Sequence, residues 1–155
     1  MQFSSREDID APIAEVFAML SDVDSFERSA IRRGIDVTRV GDRVSVGEGM
    51  AWTARFMMRG KPREAHVTLA RFEAPEMMRF ETVSQGLEGH LTVDLVALSP
   101  RRTRLGVILN LKPNTLSARL LVQSLKLARG NLSKRFKLKV ADYARHLEAR
   151  GNRTA

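Results

Sequence analysis

The stretch DIDAPIAEVFAMLSDVDSFE, residues 8–27, changes character twice along its length. It begins with the end of an extended segment. A proline then marks the start of a helix, because the first N–H groups of a helix need no partner within it. The apolar residues that follow recur at helical spacing over 12–20. A second helix is predicted over 24–33, with Asp24 and Glu27 as a capping box. We therefore expect one strand followed by two short helices.

The composition limits the class of protein. The chain has 155 residues and no cysteine, so disulfides and thiolate metal sites are excluded. Its length fits a single domain, which we place at residues 1–150, with a disordered tail over 151–155. The first residues carry charges where a signal peptide needs an apolar run, and no apolar run is long enough to cross a membrane. We expect a cytoplasmic protein.

Alternating apolar and polar residues predict a sheet after the two helices. Counting the first strand and the segments IDVTRV and DRVSVGE, we expect about seven antiparallel strands with one buried face. Turns of four residues, the first of them RGKP, are expected to join neighbouring strands. The predicted cross-strand pairs are Trp52 with Leu69, Phe56 with Ala65, Met78 with Leu95, Phe80 with Val93 and, on the outer face, Arg79 with Asp94.

Residues 114–149 carry apolar side chains at spacings of three and four, which predicts one long amphipathic helix covering the sheet. Asn114 can cap its start, and Gly130 lies within it, where a kink or a close contact is expected. The positive charge of the chain is concentrated here. Residues 112–155 hold 11 basic and 2 acidic residues, whereas residues 1–111 hold 15 basic and 16 acidic residues.

This order of elements resembles the helix-grip fold of the START-like (SRPBCC) superfamily, which includes birch-pollen-allergen relatives, polyketide cyclases/dehydrases and lipid-transport domains. The N-terminal stretch is similar to the family signature in its residues Ile9, Ala11, Pro12, Val16, Phe17, Leu20 and Asp22. It departs from many members in "VDSFERSAIRRG", which lacks a proline and a tryptophan. The resemblance implies an α+β fold: a curved antiparallel sheet with a long C-terminal helix across its concave face. It also implies a cavity for an apolar ligand between them, although fold alone does not name the ligand.

The side chains predicted to face inward are apolar and include methionine, which adapts to lipid-like or ring-shaped ligands. Each of them could equally belong to a filled core. The predicted ligand-binding residues are Trp52, Phe56, Met58, Leu69, Met78, Phe80, Thr82, Leu91, Val93, Leu121 and Leu125.

No group of residues has the spacing of a catalytic or metal site. The histidines His66 and His90 have outward parity, and His146 lies in the last turns of the C-terminal helix. We expect no metal and no cofactor. If the cavity holds chemistry, the candidates are Arg71, which follows Leu69 in parity, and Tyr143 on the helix. Alternatively, Arg71 lies beyond the buried part of its strand and does not face the cavity.

The C-terminal helix also predicts a basic surface, formed by Lys126, Arg129, Lys134, Arg135 and Lys137. Additional leucines lie away from the main apolar stripe. This composition is typical of a surface attracted to anionic lipid, and it also fits nucleic acid, an acidic protein or a solvated helix face. Aromatic residues do not interleave with the charges, so base stacking has no support.

Three hypotheses follow. The leading one is a protein that binds or carries a lipid, polyketide or isoprenoid-like molecule. The second is a polyketide cyclase/dehydratase-type enzyme on the same fold. The third is a docking module that uses the basic helix for an anionic membrane, RNA or an acidic protein. Neither a monomer nor a dimer is favoured by the sequence.

Overall fold

The computed structural model describes the backbone of residues 1–154 and the side chains of residues 1–152. One seven-stranded antiparallel sheet has the strand order β1-β7-β6-β5-β4-β3-β2. The elements are β1 Gln2–Ile9, α1 Ile13–Leu20, α2 Val23–Arg32, β2 Asp36–Arg39, β3 Ala51–Met58, β4 Lys61–Glu73, β5 Met77–Ser84, β6 Leu87–Ser99, β7 Arg102–Pro113, α3 Leu116–Leu127 and α4 Arg129–Thr154. The predicted α+β architecture is confirmed, with two helices after β1 and a long C-terminal helix packed on the sheet.

The two short helices differ in how they begin. Pro12 occupies the N-cap position of α1, with extended backbone and no side-chain cap. Asp22 caps α2 by accepting a hydrogen bond from the Ser25 N–H at 3.2 Å. The predicted capping box of Asp24 and Glu27 is therefore wrong, because both carboxylates instead bind Arg39 on β2.

Two hairpins close with two-residue turns, Arg59–Gly60 and Gln85–Gly86, whose residues all have positive φ. Such a turn matches the twist of its flanking strands better than a four-residue turn does. The predicted registers were therefore wrong by two residues. The observed pairs are Trp52 with Val67, Phe56 with Arg63, Met78 with Val93, Phe80 with Leu91 and Arg79 with Thr92. Because a slip of two residues leaves every side chain on its own face, the parity of the residues in these predicted pairs was still correct.

The segment DRVSVGE forms a loop rather than the predicted strand. The Arg43 guanidinium donates to the carbonyls of Ser45 and Glu48 and so satisfies groups that a strand would pair. A Cβ at Gly47 would lie 2.7 Å from this guanidinium, so a larger residue there would require Arg43 to move. The loop rejoins the sheet where the Gly49 N–H donates to the Leu69 carbonyl at 2.9 Å.

The C-terminal helix is divided in two at Ala128, whose backbone leaves the helical conformation. α3 packs on β7, whereas α4 packs on β1 and α1, so each helix turns its buried face to different elements. Of the kink or close contact predicted at Gly130, the close contact is absent, since no atom lies within 4 Å of a Cβ placed there, and the interruption lies two residues earlier at Ala128. Thr115, not Asn114, caps α3 by accepting from the Ala118 N–H at 3.1 Å.

α4 continues past the boundary predicted at residue 150 and ends at Thr154. Gly151 is buried, and a Cβ there would lie 3.7 Å from that of Ala11. This packing against the start of α1 explains why the helix extends through 151–154, where a disordered tail was predicted. The last residue of that predicted tail, Ala155, lies outside the described residues.

The core lies between the concave face of the sheet, α1 and α4. Its fully buried members include Ile9, Leu69, Leu105 and Leu147. Thr103 is buried among them, and its hydroxyl donates to the Ala11 carbonyl at 2.8 Å. Within residues 1–154, no helix is long and apolar enough to cross a membrane.

Candidate ligand-binding cavity

A cavity of about 650 Å³ lies between the concave face of the sheet and the helices α2 and α4. The sheet contributes apolar side chains from β2 to β7, and α4 closes the cavity with residues three and four positions apart. The side chains that shape it most are Val37, Trp52, Met78, Phe80, Leu91, Val93 and Val107 from the sheet, Phe26 from α2, and Phe136, Val140 and Tyr143 from α4.

Two pairs of aromatic rings form opposite parts of the wall. The Trp52 and Phe80 ring centroids are 6.4 Å apart, and those of Phe26 and Tyr143 are 5.9 Å apart, each at a tilted angle. Such tilted pairs are favourable aromatic contacts. They fix the positions of large side chains around the space without filling it.

Glu27 provides a charged group at the α2 side of the cavity. Its Oε2 accepts hydrogen bonds from Arg39 Nε at 2.7 Å and Trp52 Nε1 at 3.0 Å, and its Oε1 accepts from Arg39 Nη2 at 2.8 Å. The hydrogen bond from Arg39 is the main reason that the pKa of Glu27 is lowered, although burial opposes this shift. The carboxylate is therefore ionised and positions the Trp52 indole; it is poorly suited to act as a base.

Tyr143 provides a polar group on the α4 side. Burial of the ring raises the pKa of its phenol, which therefore remains protonated. Among the described residues, no group hydrogen-bonds this hydroxyl. The charges of Arg150 and Asp22 act on the phenol in opposite directions.

Six of the predicted ligand-binding residues line the cavity: Trp52, Met78, Phe80, Thr82, Leu91 and Val93. Leu69 is fully buried in the core beneath it. Phe56 and Met58 lie further along β3, towards the turn at Arg59–Gly60, and Met58 is 41% exposed. Leu121 and Leu125 are half-buried on α3, away from the cavity, because α3 covers β7 instead.

Arg71 lies outside the cavity. A β-bulge between Leu69 and Arg71 reverses the parity of β4 at this point. Phe72 takes the inward position, and its ring packs 5.2 Å from that of Phe17. Arg71 is exposed and its Nη2 lies 2.6 Å from Glu73 Oε1, so of the two candidates for chemistry only Tyr143 faces the cavity.

Sequence reasoning missed several cavity residues on the helices, including Phe26, Glu27, Phe136 and Lys139. Val23, Phe26 and Ala30 have helical spacing and line the cavity together, which was a usable signal. Glu27 was interpreted only as a cap. Lys139 was hidden by its charge, because the methylene stem of an exposed lysine can line an apolar cavity.

The remaining predicted residues lie on outer surfaces. His66 is exposed, and half-buried His90 lies on the convex face of the sheet near Glu81 and Glu88. No group of three His, Asp or Glu side chains in the described part of the chain could hold a metal. The predicted basic surface is exposed throughout, at Lys126, Arg129, Lys134, Arg135 and Lys137.

A second concavity of about 520 Å³ lies beside β1, β7 and the C-terminal half of α4. We call it the charged cleft; it is lined by Arg6, Glu7, Asp8, Asp10, Arg102, Arg104, Arg145 and Glu148. Asp8 binds Arg104 Nε at 2.9 Å and Arg102 Nη2 at 3.3 Å. Hydrogen bonds from these arginines, that of Arg104 first, lower the pKa of Asp8.

No family model matches the sequence, and no curated protein matches it. Solved structures do match its fold. An aromatase/cyclase from a Streptomyces species has a TM-score of 0.64 at 10% identity, over 99% of this chain and 94% of the other. Norcoclaurine synthase from Thalictrum flavum, in complex with dopamine and hydroxybenzaldehyde, has a TM-score of 0.62 at 10% identity, over 86% and 81%.

A START superfamily protein from Mycobacterium smegmatis has a TM-score of 0.56 at 12% identity, covering 86% of this chain and 95% of that one. This chain has the helix-grip fold. The resemblance to START-like proteins is thereby confirmed at the level of fold, and identities this low carry no further assignment.

Proposed function

We propose that the protein binds one apolar or amphipathic small molecule in the cavity between the sheet and α4. The observation that carries this proposal is the lining, which is apolar over nearly its whole extent around about 650 Å³. This volume lies within the range of about 300–1,000 Å³ typical of small-molecule sites. It corresponds to about 20 water molecules, which an apolar lining cannot hydrogen-bond. An apolar occupant is therefore favoured over water.

The few polar groups favour an amphipathic ligand over a wholly apolar one. Tyr143 and Lys139 lie one helical turn apart on α4, and both residues line the cavity. Thr82 adds a hydroxyl on the sheet side. A ligand with its apolar part against Trp52 and Phe80 would place a polar or anionic end near these groups.

The first experiment is native mass spectrometry of the gently purified protein, followed by extraction of any bound molecule. A discrete small molecule is expected, and adding it back should raise the melting temperature through mass action. As a defined probe we would titrate the amphipathic dye 1-anilinonaphthalene-8-sulfonate, which should bind at one saturable site.

A cavity-filling variant makes this test specific. Val107→Trp places a large side chain in the cavity and should abolish dye binding. Val96→Trp is the matched control, because Val96 is 56% exposed on β6 and does not line the cavity. Equal dye binding by both variants, with unchanged circular dichroism, would refute the cavity as the binding site.

A second candidate function is a cyclase/dehydratase-type activity on a polyketide-like substrate. One observation favours it: Tyr143 lines the cavity and its phenol remains protonated, so it could orient a carbonyl group by donating a hydrogen bond. The test uses the molecule identified by mass spectrometry. Loss of turnover in Tyr143→Phe with retained affinity would support an enzyme, whereas the absence of turnover in the wild-type protein would leave binding as the function.

A further inference from the structure

α3 is apolar on two opposite sides. Ala118 and Val122 form its buried side. With about 100° per residue, Leu116, Leu120 and Leu127 lie within about 40° of one another on the opposite side. These three leucines are 73%, 64% and 92% exposed. A helix that only covers the sheet needs one apolar side, so the outer leucines have no role in the fold.

Basic residues lie along one side of this outer apolar stripe and continue into α4. Residues 112–141 contain eight basic residues and no acidic residue: Lys112, Arg119, Lys126, Arg129, Lys134, Arg135, Lys137 and Lys139. Arg119 and Lys126 lie along one side of the leucine stripe on α3. On α4, Leu138 is 64% exposed and lies one turn from Lys134 and Arg135. We call this surface, residues 112–141 with their outward side chains, the basic leucine face.

We propose that the basic leucine face docks on an anionic phospholipid bilayer, with the α3 leucines entering the boundary between head groups and acyl chains. Exposed leucines combined with lysine and arginine are the composition of a helix that lies in a membrane interface. The cations face lipid phosphates, and each contributes about a fivefold gain in partition coefficient near an anionic surface.

Other occupants fit the same surface less well. Two copies of the chain meeting at this face would bring two sets of eight cations together without an acid between them. A single-stranded nucleic acid needs aromatic platforms, and the only aromatic residue within 112–141, Phe136, faces the cavity. An anionic bilayer satisfies both the charge and the apolar stripe.

The basic leucine face lies next to the wall of the cavity. Phe136 and Lys139 line the cavity, while Lys137 and Leu138, between them in sequence, are exposed. The cavity wall and the basic leucine face therefore share one turn of α4. Docking would bring the α4 rim of the cavity close to the lipid head groups.

The test is flotation of the full chain with phosphatidylcholine vesicles, with or without phosphatidylglycerol. Binding is expected only with the anionic lipid at about 0.1 M salt, and loss of binding is expected at about 1 M, where the Debye length falls to about 3 Å. Replacing Leu116, Leu120 and Leu127 by glutamine should weaken binding about tenfold or more. Replacing Arg119 and Lys126 by glutamine should weaken it about 25-fold.

Val44→Gln is the matched control for an exposed apolar residue outside the face, since Val44 is 84% exposed in a loop. It should bind vesicles like the wild type. Val107→Trp should also bind normally, so this proposal and the cavity proposal succeed or fail separately. The proposal is overturned by absence of flotation at low salt, by full binding of the triple leucine variant, or by a dimer that the leucine substitutions dissociate.

Discussion

The cavity and the charged cleft have similar volumes, about 650 and 520 Å³, but opposite linings. The cleft is lined by four arginines and four carboxylates, many of which bind one another; Asp8 alone has two arginine partners. The cavity is lined almost entirely by apolar side chains. Charged groups that already have partners gain little from a ligand, whereas an apolar lining gains free energy when an apolar ligand replaces water against it.

The charges near each space also act differently. In the cleft, Arg145 donates to the Asp8 carbonyl, and its Nε lies 3.6 Å from Glu148, so the arginine ties β1 to α4. Beside the cavity, the Glu27 ion pair holds an aromatic wall in place. The cleft is therefore interpreted as a structural joint and the cavity as the binding site.

The largest effect is expected where charge supports the cavity wall. Glu27→Ala removes the acceptor for the buried Trp52 indole and for the partly buried Arg39 guanidinium. We expect a loss of about 2 kcal/mol in the free energy of unfolding, measured by urea denaturation. Binding of the dye should weaken as well, because Trp52 is released.

A matched control is Glu73→Ala, which breaks the exposed Arg71–Glu73 pair. An exposed ion pair of this kind contributes about 0–1 kcal/mol. If the two variants were equally stable, the Glu27 ion pair would contribute no more to the free energy of unfolding than an exposed pair does. The expected difference between partly buried and exposed ion pairs would then be wrong.

A pH-dependent effect is expected in the charged cleft. Because the arginines lower the pKa of Asp8 in the folded state, its ionised form stabilises the fold at pH values above its unfolded pKa of about 3.9. That stabilisation is lost as the pH falls through the lower, folded pKa. Asp8→Asn should therefore melt below the wild type at neutral pH, and the two melting temperatures should converge in acid.

Asp10→Asn serves as the control, since Asp10 lines the same cleft without an ion pair among the described side chains. At neutral pH it should lower the melting temperature less than Asp8→Asn does, because it breaks no ion pair of the described side chains. Dye binding should be unchanged in both variants. A loss of dye binding in Asp8→Asn would show that the cleft and the cavity are not independent.

The fold could be predicted from the sequence because the periodic spacing of apolar residues recurs in most of its strands and helices. Alternating residues define the inward face of each strand, and an error of two residues in a turn does not change that face. The hairpin registers could not be read correctly, since Arg59 and Gln85 adopt positive φ without being the usual turn residues. The register change at Arg71 was equally hidden, because no proline or glycine marks that bulge.

The candidate site was predictable only in part. Residues in the middle of the strands, such as Met78 and Phe80, follow directly from parity. Which residues line the ends of the cavity depends on the positions of α2 and α3 relative to the sheet. Those positions are determined by packing between segments that are distant in sequence. Leu121 and Leu125 share the helical stripe of Phe136, yet the interruption at Ala128 directs them away from the cavity.

The smallest effect is expected at the rim, and it tests whether any charge contributes to the cavity. Lys139→Gln should lower the affinity for 1-anilinonaphthalene-8-sulfonate by about two- to fivefold, because an exposed ion pair contributes less than about 1 kcal/mol. The affinity for N-phenyl-1-naphthylamine, which lacks the sulfonate, should stay the same. Fluorescence titration of both dyes measures the difference.

Lys137→Gln is the control for this last change, since Lys137 lies half a turn away on the exposed side of α4 and does not line the cavity. It removes the same charge and should leave both affinities unchanged. If Lys137→Gln and Lys139→Gln weakened anionic dye binding equally, the effect would come from the overall positive charge of the helix. The cavity would then select its ligand by apolar contact alone, whereas the charged cleft is lined by ionised groups.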